Sequence, residues 1–298
     1  MDPLVTAEWL QSNLDESKIR VVDVRGYVRR RQTEPSVEVA EYTGALNEFL
    51  AGHIPGAVYL DWTSDIIDPD NPIPVQLARE HSFSETMSRC GIGEETHVVI
   101  YDHQGGQFAT RFWWALHFFG HEKVSVVDGG WQAWKSIEGT VSTEKSHPER
   151  CQFKAKPQRH WRVDGEEVLG VVQRAAQQEG SDDSKVWPQI IDARDEEQFK
   201  GTRRRGLHGG RIPGAIHLDR DALFDVEKGR YKPLSELRSL ITSANVDTNR
   251  PVIAYCNGGV AATTVLFTLY RLSVRNLANY DGSWNEWGNR KDLPFETG

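Results

Sequence analysis

The chain repeats itself, and that feature limits its possible folds more than any other. The segment IRVVDVR (19–25) is answered by QIIDAR (189–194), which pairs Asp23 with Asp192 at an offset of 169 residues. HIPGAVYLD (53–61) returns as RIPGAIHLD (211–219) at an offset of 158. HVVIYD (97–102) returns as PVIAYC (251–256) at 154, and DGGWQAW (128–134) as DGSWNEW (281–287) at 153. The order never changes, and the offset shrinks only between motifs, where loops can shorten at little free-energy cost. The expectation is a duplicated domain, 1–143 and 160–298. The polar segment 144–159 between them holds Pro148 and Pro157 and lacks hydrophobic periodicity. At 298 residues, each copy has enough chain to bury a core of its own.

Both copies read alike in secondary structure. Thr6 and Asp164 are suited to cap helices. Short, continuous, mostly apolar runs follow at 20–24, 58–60, 98–101 and 124–127, and again at 190–192, 216–218, 252–255 and 277–280. Such runs suit strands of a parallel sheet buried on both faces. Helical stretches at 109–119 and 261–272 sit between the last two strands of each copy, completing a βαβ unit twice. The fold class is therefore α/β, with two mostly parallel sheets flanked by helices. Trp131, Trp134, Trp284 and Trp287 are expected as core or interface anchors.

Composition narrows the function. With 38% hydrophobic and 26% charged residues the chain reads as a soluble globular protein, and a net charge of −8 argues against nucleic acid or an anionic membrane as partner. No apolar run reaches the roughly 18 residues of a membrane span. The first ten residues, MDPLVTAEWL, lack the basic and apolar regions of a secretion signal, so a cytoplasmic location is expected. Cys90, Cys151 and Cys256 are too scattered for a disulfide framework and form no C-x-x-C pair, so neither zinc nor a cofactor is implied.

Cys256 stands apart because of where it falls. It ends the strand at 252–255 and opens the loop Asn257-Gly258-Gly259-Val260-Ala261 before a helix. Ligands bind at the carboxyl edge of parallel strands. Two glycines let the loop curl so that backbone N–H groups point inward, and the first helical turn adds its own unpaired donors. A thiol in that field ionises more readily than a free one, and the same donors would hold an anionic persulfide. Cys90 and Cys151 have no such setting and read as structural. The repeat supplies a control: the position matching Cys256 is Asp102, which cannot carry sulfur. One active site per chain is expected, in the second copy.

These boxes, together with the Y-C-N-G-G-V-A loop, resemble the two-domain rhodanese family of thiosulfate and 3-mercaptopyruvate sulfurtransferases, over about 19–287. The resemblance implies tandem rhodanese-like domains, the first catalytically silent, and a sulfurtransferase working through a Cys256 persulfide. A small anionic donor would supply the sulfur, and cyanide, a thiol or a thioredoxin-like protein would accept it. The implied catalytic loop runs from Cys256 through Asn257, Gly258, Gly259, Val260 and Ala261. Thiosulfate enzymes of the family place basic residues at its second and third positions, where this chain has Asn257 and Gly258. Mercaptopyruvate enzymes read C-G-S-G-V-T, which Gly259 and Val260 match and Gly258 and Ala261 do not. The neutral loop leans slightly toward mercaptopyruvate, but the missing Ser and Thr hydroxyls weaken a Ser-assisted mechanism, so the sequence leaves the donor open.

The family also holds its donor with an arginine after the D-x-R strand, by motif Arg194. The silent copy carries Arg25 at the same place, so a purely structural pairing is the equal alternative. The runs Arg29-Arg30-Arg31 and Arg203-Arg204-Arg205 read as solvated loops, with the second run a lesser candidate for the pocket wall. His208 and Arg211 are weaker candidates.

Two other functions compete. A Cys-based phosphatase needs Arg at the sixth position after its Cys, and that position is Ala262. A non-catalytic rhodanese module that binds or regulates a protein is the other. Turnover with small donors separates it from an enzyme.

Overall fold

A computed structural model describes residues 2–177, 187–225 and 227–298. The first five-stranded sheet takes β1 (Leu4–Val5), β2 (Ile19–Asp23), β5 (Val58–Tyr59), β6 (His97–Tyr101) and β7 (Val124–Val127), in the order β1-β7-β6-β2-β5. Between β2 and β5 rises an antiparallel hairpin of β3 (Gly26–Glu34) and β4 (Val37–Gly44). The second sheet takes β8 (Arg162–Val163), β9 (Gln189–Asp192), β10 (Ile216–His217), β13 (Val252–Tyr255) and β14 (Leu277–Tyr280). Its order, β8-β14-β13-β9-β10, repeats that of the first sheet, and every pairing in both sheets is parallel. A small ribbon, β11 (Phe224–Asp225) with β12 (Arg230–Tyr231), lies outside them.

The first sheet is flanked by α1 (Ala7–Asn13), α2 (Leu46–Ala51), α3 (Glu80–Arg89), α4 (Gln107–Phe118) and α5 (Gly130–Ser136). The second has α6 (Gly165–Gln177), α7 (Glu196–Lys200), α8 (Leu234–Ser243), α9 (Ala262–Arg271) and α10 (Ser283–Trp287). Thr6 caps α1 by accepting from Trp9 N–H, and Asp164 and Glu167 exchange hydrogen bonds with each other's N–H to cap α6. Edge strands β1 and β8 and the β3–β4 hairpin carried no sequence expectation. Arg29, Arg30 and Arg31, expected in a loop, lie on β3 instead. There the alternation of a two-stranded ribbon sends Arg30 and its neighbours to opposite faces.

The repeated boxes are braces. In each copy a D-x-R arginine lies against its own aspartate: Arg25 Nε to Asp23 at 2.8 Å, Arg194 Nε to Asp192 at 2.9 Å. Each also donates to a carbonyl just before the I-P-G-A turn, Gly52 or Gly210, and sits 4.7 or 4.3 Å from the ring of Trp131 or Trp284. Tyr101 and Tyr255 donate to the same aspartates at 2.6 Å and accept from Ile54 and Ile212 N–H. Trp134, Trp284 and Trp287 are fully buried, and Trp131 is half-buried.

The largest core lies between the two sheets. There α4 packs on α9, with Thr110 Oγ1 3.0 Å from Thr263 Oγ1 and Trp113 set edge-on against Phe267. Both helices are buried almost all round, as a helix between two sheets must be. The segment 144–159 is extended and stitched to the first sheet's helices, with Cys151 N–H on Ser88 O and Lys156 N–H on Phe119 O.

One residue of this core makes stability depend on pH. His117 lies among Trp113, Trp161 and Tyr270, and burial pulls its imidazole down to about 4, helped by His121 and Arg275 nearby. The unfolded chain takes up a proton near pH 6.5 that the folded chain refuses until about pH 4. Stability is thus full above about pH 6.5 and falls between there and pH 4, by ~3 kcal/mol from this group. His117→Gln should flatten that slope in urea unfolding. His97 and His121, which burial shifts the same way, leave a residue of it. An unchanged slope would assign it to other groups.

Candidate active site

The loop 256–261 leaves the carboxyl end of β13 and enters α9. The DGSW box fastens its start: Cys256 N–H donates to Ser283 Oγ at 3.1 Å, and Ser283 Oγ donates to Tyr280 O at 2.7 Å. Trp284 N–H and Asn285 N–H donate to the carbonyls of Cys256 and Asn257. Gly259 takes φ +69°, and a Cβ there would lie 2.7 Å from Asp281 O. A Cβ on Gly258 would lie 2.8 Å from Val75 Cγ2, so Val75 fills the room that a serine at this loop position would need. The Cys256 thiol is free and 4% exposed. Cys90 is also free and buried, but there burial pushes the thiol up to about 11, which leaves it protonated and unreactive at neutral pH.

Among the described residues, the N–H groups of Gly258, Val260 and Ala262 meet no protein acceptor. The silent copy shows what such donors hold. The Asp102 carboxylate accepts from Gln104 and Gly106 N–H on Oδ1 at 2.9 and 3.0 Å, and from Phe108 and Ala109 N–H on Oδ2 at 2.9 and 3.0 Å. By the repeat these match Gly258, Val260, Ala262 and Thr263. The first loop is an anion cradle filled by its own side chain. The second has a thiol where the carboxylate stands and a related but not identical backbone: Gly259 shares the positive φ of Gly105, Val260 lacks the φ of +76° that Gly106 takes, and Thr263 N–H is spent on Val260 O at 3.2 Å.

A cleft of about 240 Å³ opens over the thiol. Cys256, Asn257, Gly258, Val260 and Ala261 line it, whereas Gly259 turns its carbonyl back toward Arg111 and Asn279. Asn257 Nδ2 donates to Gln198 Oε1 at 2.8 Å. Arg194 also borders the cleft, but its Nε and Nη2 are committed to Asp192 and Gly210 O, as those of Arg25 are in the silent copy.

Of the run 203–205, Arg205 alone lines the cleft. Arg203 is spent on Asp195, Glu197 and Glu38, and Arg204 pairs its backbone with Ser36 and Glu38. Arg205 is 6% exposed, reaches Glu38 only at 3.4 Å, and leaves Nη2 without a partner. Burial, only partly offset by Tyr42 and Glu38, pulls its guanidinium down from its ordinary value. His208 stacks on Phe295 and Arg211 pairs with Glu296, both outside the cleft.

The hairpin roofs this cleft with Val28, Arg30 and Tyr42, and Gln104 and Gln107 of the silent loop face it. Two backbone hydrogen bonds, Glu38 N–H to Arg204 O and Arg204 N–H to Ser36 O, latch the hairpin to the second half. Tyr42 carried no sequence expectation, and Arg30, expected in a solvated loop, lines the cleft instead. The VEVAEYTG alternation on β4 was the available signal for the hairpin.

Two parallel sheets of identical strand order, with one strand–loop–helix junction carrying a cysteine and its twin an aspartate, define a tandem α/β protein. The rhodanese-like domain family matches residues 6–137 and 173–290, and the chain belongs to the rhodanese family. It is a sulfurtransferase. It is 34% identical to the 3-mercaptopyruvate sulfurtransferase of Escherichia coli K12, over 98% of this chain and 97% of that protein. It is 32% identical to the thiosulfate sulfurtransferase of Gallus gallus, over 96% and 93%. The crystal structure of SseA from Escherichia coli, a 3-mercaptopyruvate sulfurtransferase, superposes with a TM-score of 0.80 at 29% identity, covering 95% of this chain and 99% of that one. Among the described residues no helix is long and apolar enough to cross a membrane.

Proposed function

We propose that residues 160–298 form the catalytic domain and residues 1–143 a silent one, and that Cys256 carries sulfane sulfur as a persulfide from a small anionic donor to a thiophilic acceptor. The observation that carries this reading is the pair of loops. One cradle holds a carboxylate with four N–H groups, and its twin leaves three of the matching N–H groups without a protein acceptor in the loop that begins at Cys256. In the first step the Cys256 thiolate attacks the donor's outer sulfur. A sulfur–sulfur bond forms, and the donor's bond to that sulfur breaks with its electron pair. The pair leaves on sulfite from thiosulfate, or on the enolate of pyruvate, which takes up a proton, from 3-mercaptopyruvate. In the second step cyanide, a small thiol or a thioredoxin-like protein attacks the outer sulfur and restores the Cys256 thiolate. No oxidant is consumed.

3-Mercaptopyruvate is the preferred donor. The loop itself has no basic side chain, and of the arginines lining the cleft Arg30, Arg194 and Arg220 each pair with an aspartate, which leaves the buried Arg205 Nη2 suited to a single carboxylate. Arg205 takes the anchoring role that the motif assigned to Arg194. Three free thiols accord with a reducing, cytoplasmic compartment.

Mass spectrometry after donor treatment should find one added sulfur on the peptide holding Cys256, and sulfur on Cys90 or Cys151 instead would sink the assignment. In steady state, kcat/KM should favour 3-mercaptopyruvate over thiosulfate. Arg205→Gln should raise the KM of the preferred donor by about 10–100-fold, the worth of one charge-assisted hydrogen bond. An unchanged KM would remove Arg205 from the donor site.

A further inference from the structure

The silent half grips the active loop from behind. Arg111 on α4 is 1% exposed, and its Nη1 donates to Gly259 O at 3.1 Å across the boundary between the halves. Asn279 Nδ2 donates to the same carbonyl at 2.9 Å. The Arg111 fork is itself held. Nη2 donates to Val75 O at 2.9 Å, Nη1 lies 2.6 Å from Asp281 Oδ1, and the guanidinium sits 4.5 Å from the Trp114 ring. Asp281 is pinned in turn by Leu77 N–H and Arg162.

Gly259 C=O and Val260 N–H belong to one trans peptide and point in opposite directions. Drawing the carbonyl back toward Arg111 aims the Val260 N–H forward, toward the cradle. The matching donor in the silent copy, Gly106 N–H, ends on Asp102 Oδ1 at 3.0 Å. That loop is organised from within by a carboxylate that accepts four hydrogen bonds. A thiol is a weak acceptor and cannot gather the donors in the same way. The position matching Arg111 in the second copy is Val265, so this support runs only from the silent half to the active one.

We infer that Arg111 is a positioning residue for the sulfur-transfer step: it fixes the Gly259–Val260 peptide so that the cradle is already formed before any anion arrives. The inference rests on the sulfur-carrying role of Cys256. Preorganised donors act where charge develops, so the effect falls on the chemical step more than on donor binding. A planar fork reaching three acceptors is not replaced by an ammonium, even though the charge opposite Asp281 is kept.

The test is rapid mixing of wild type, Arg111→Lys and Arg111→Ala with saturating 3-mercaptopyruvate and with thiosulfate. Cys256 persulfide is followed by quenched mass spectrometry, with KM and the urea midpoint measured alongside. Arg111→Lys should form persulfide about 10–100-fold more slowly, the scale of a misplaced catalytic group, while the donor's KM hardly moves. Added guanidinium should restore part of the rate to Arg111→Ala, and if that variant does not fold, the Lys variant decides. A folded Arg111→Lys that forms persulfide at the wild-type rate, with only a lower urea midpoint, would reduce Arg111 to an interface strut. Absence of Cys256 persulfide in the wild type would overturn the sulfur-carrier reading itself, a result distinct from an unchanged rate in the variant.

Discussion

Cys256→Ser should lose sulfur transfer by at least about 10⁴-fold with every donor, the order of loss when a covalent nucleophile is removed. A serine fits the site, because it is no larger than cysteine and the peptide anchors at Ser283 and Trp284 do not involve the side chain. The fold and donor binding should therefore persist, and the urea midpoint should stay close to wild type. The variant is best assayed in a single turnover with a chromogenic acceptor, where the fast transfer of bound sulfur disappears altogether. Residual turnover within tenfold of wild type would move the chemistry away from this loop and toward a direct donor-to-acceptor transfer in the cleft.

Asp102→Ala should do the opposite, costing stability rather than chemistry. Its carboxylate is 2% exposed and satisfies four backbone N–H groups at the junction of β6 and α4. Orphaning buried donors costs about 1–3 kcal/mol each, and water entering the vacated space recovers part of that. A net loss of at least ~3 kcal/mol is expected in urea unfolding. Asp102→Asn, which keeps one oxygen but turns an amino group toward the other pair of donors, should also be destabilised, though less. The turnover number per folded molecule should stay near wild type in both, since the Cys256 loop lies in the other half. A collapse of turnover in the folded fraction would show that the silent cradle takes part in the chemistry.

These two substitutions, at matching positions of one repeated loop, show how much was legible in the chain. Eight of the ten sheet strands were readable because each is a short, mostly apolar run and the same run occurs twice; the two-residue edge strands β1 and β8, outside the repeated boxes, are too short to show one. The junction at Cys256 was readable because strand, Gly-Gly turn and helix are contiguous in the chain. The D-x-R arginines were only half readable. Their occurrence in both copies left two roles open for Arg194, and the clasp of Arg25 on Asp23 and Gly52 O shows the same side-chain pairing where no thiol exists. The arginine run 203–205 looked uniform, yet its members part company in space: one is spent on carboxylates, one pairs its backbone with the hairpin, and one enters the cleft.

The sequence by itself determined the duplication, the parallel α/β class and the strand–loop–helix junction at Cys256, since each is written in short motifs contiguous along the chain. Tertiary structure alone decided what closes around that thiol. The roof of Val28, Arg30 and Tyr42, the setting of Arg205 against Glu38 with Nη2 unpartnered, and the grip of Arg111 on Gly259 all come from the meeting of the two halves. Arg111 and Gly259 are 148 residues apart. Periodicity and turn chemistry report on neighbours a few positions away, whereas a contact of that range exists only once two finished cores have packed together.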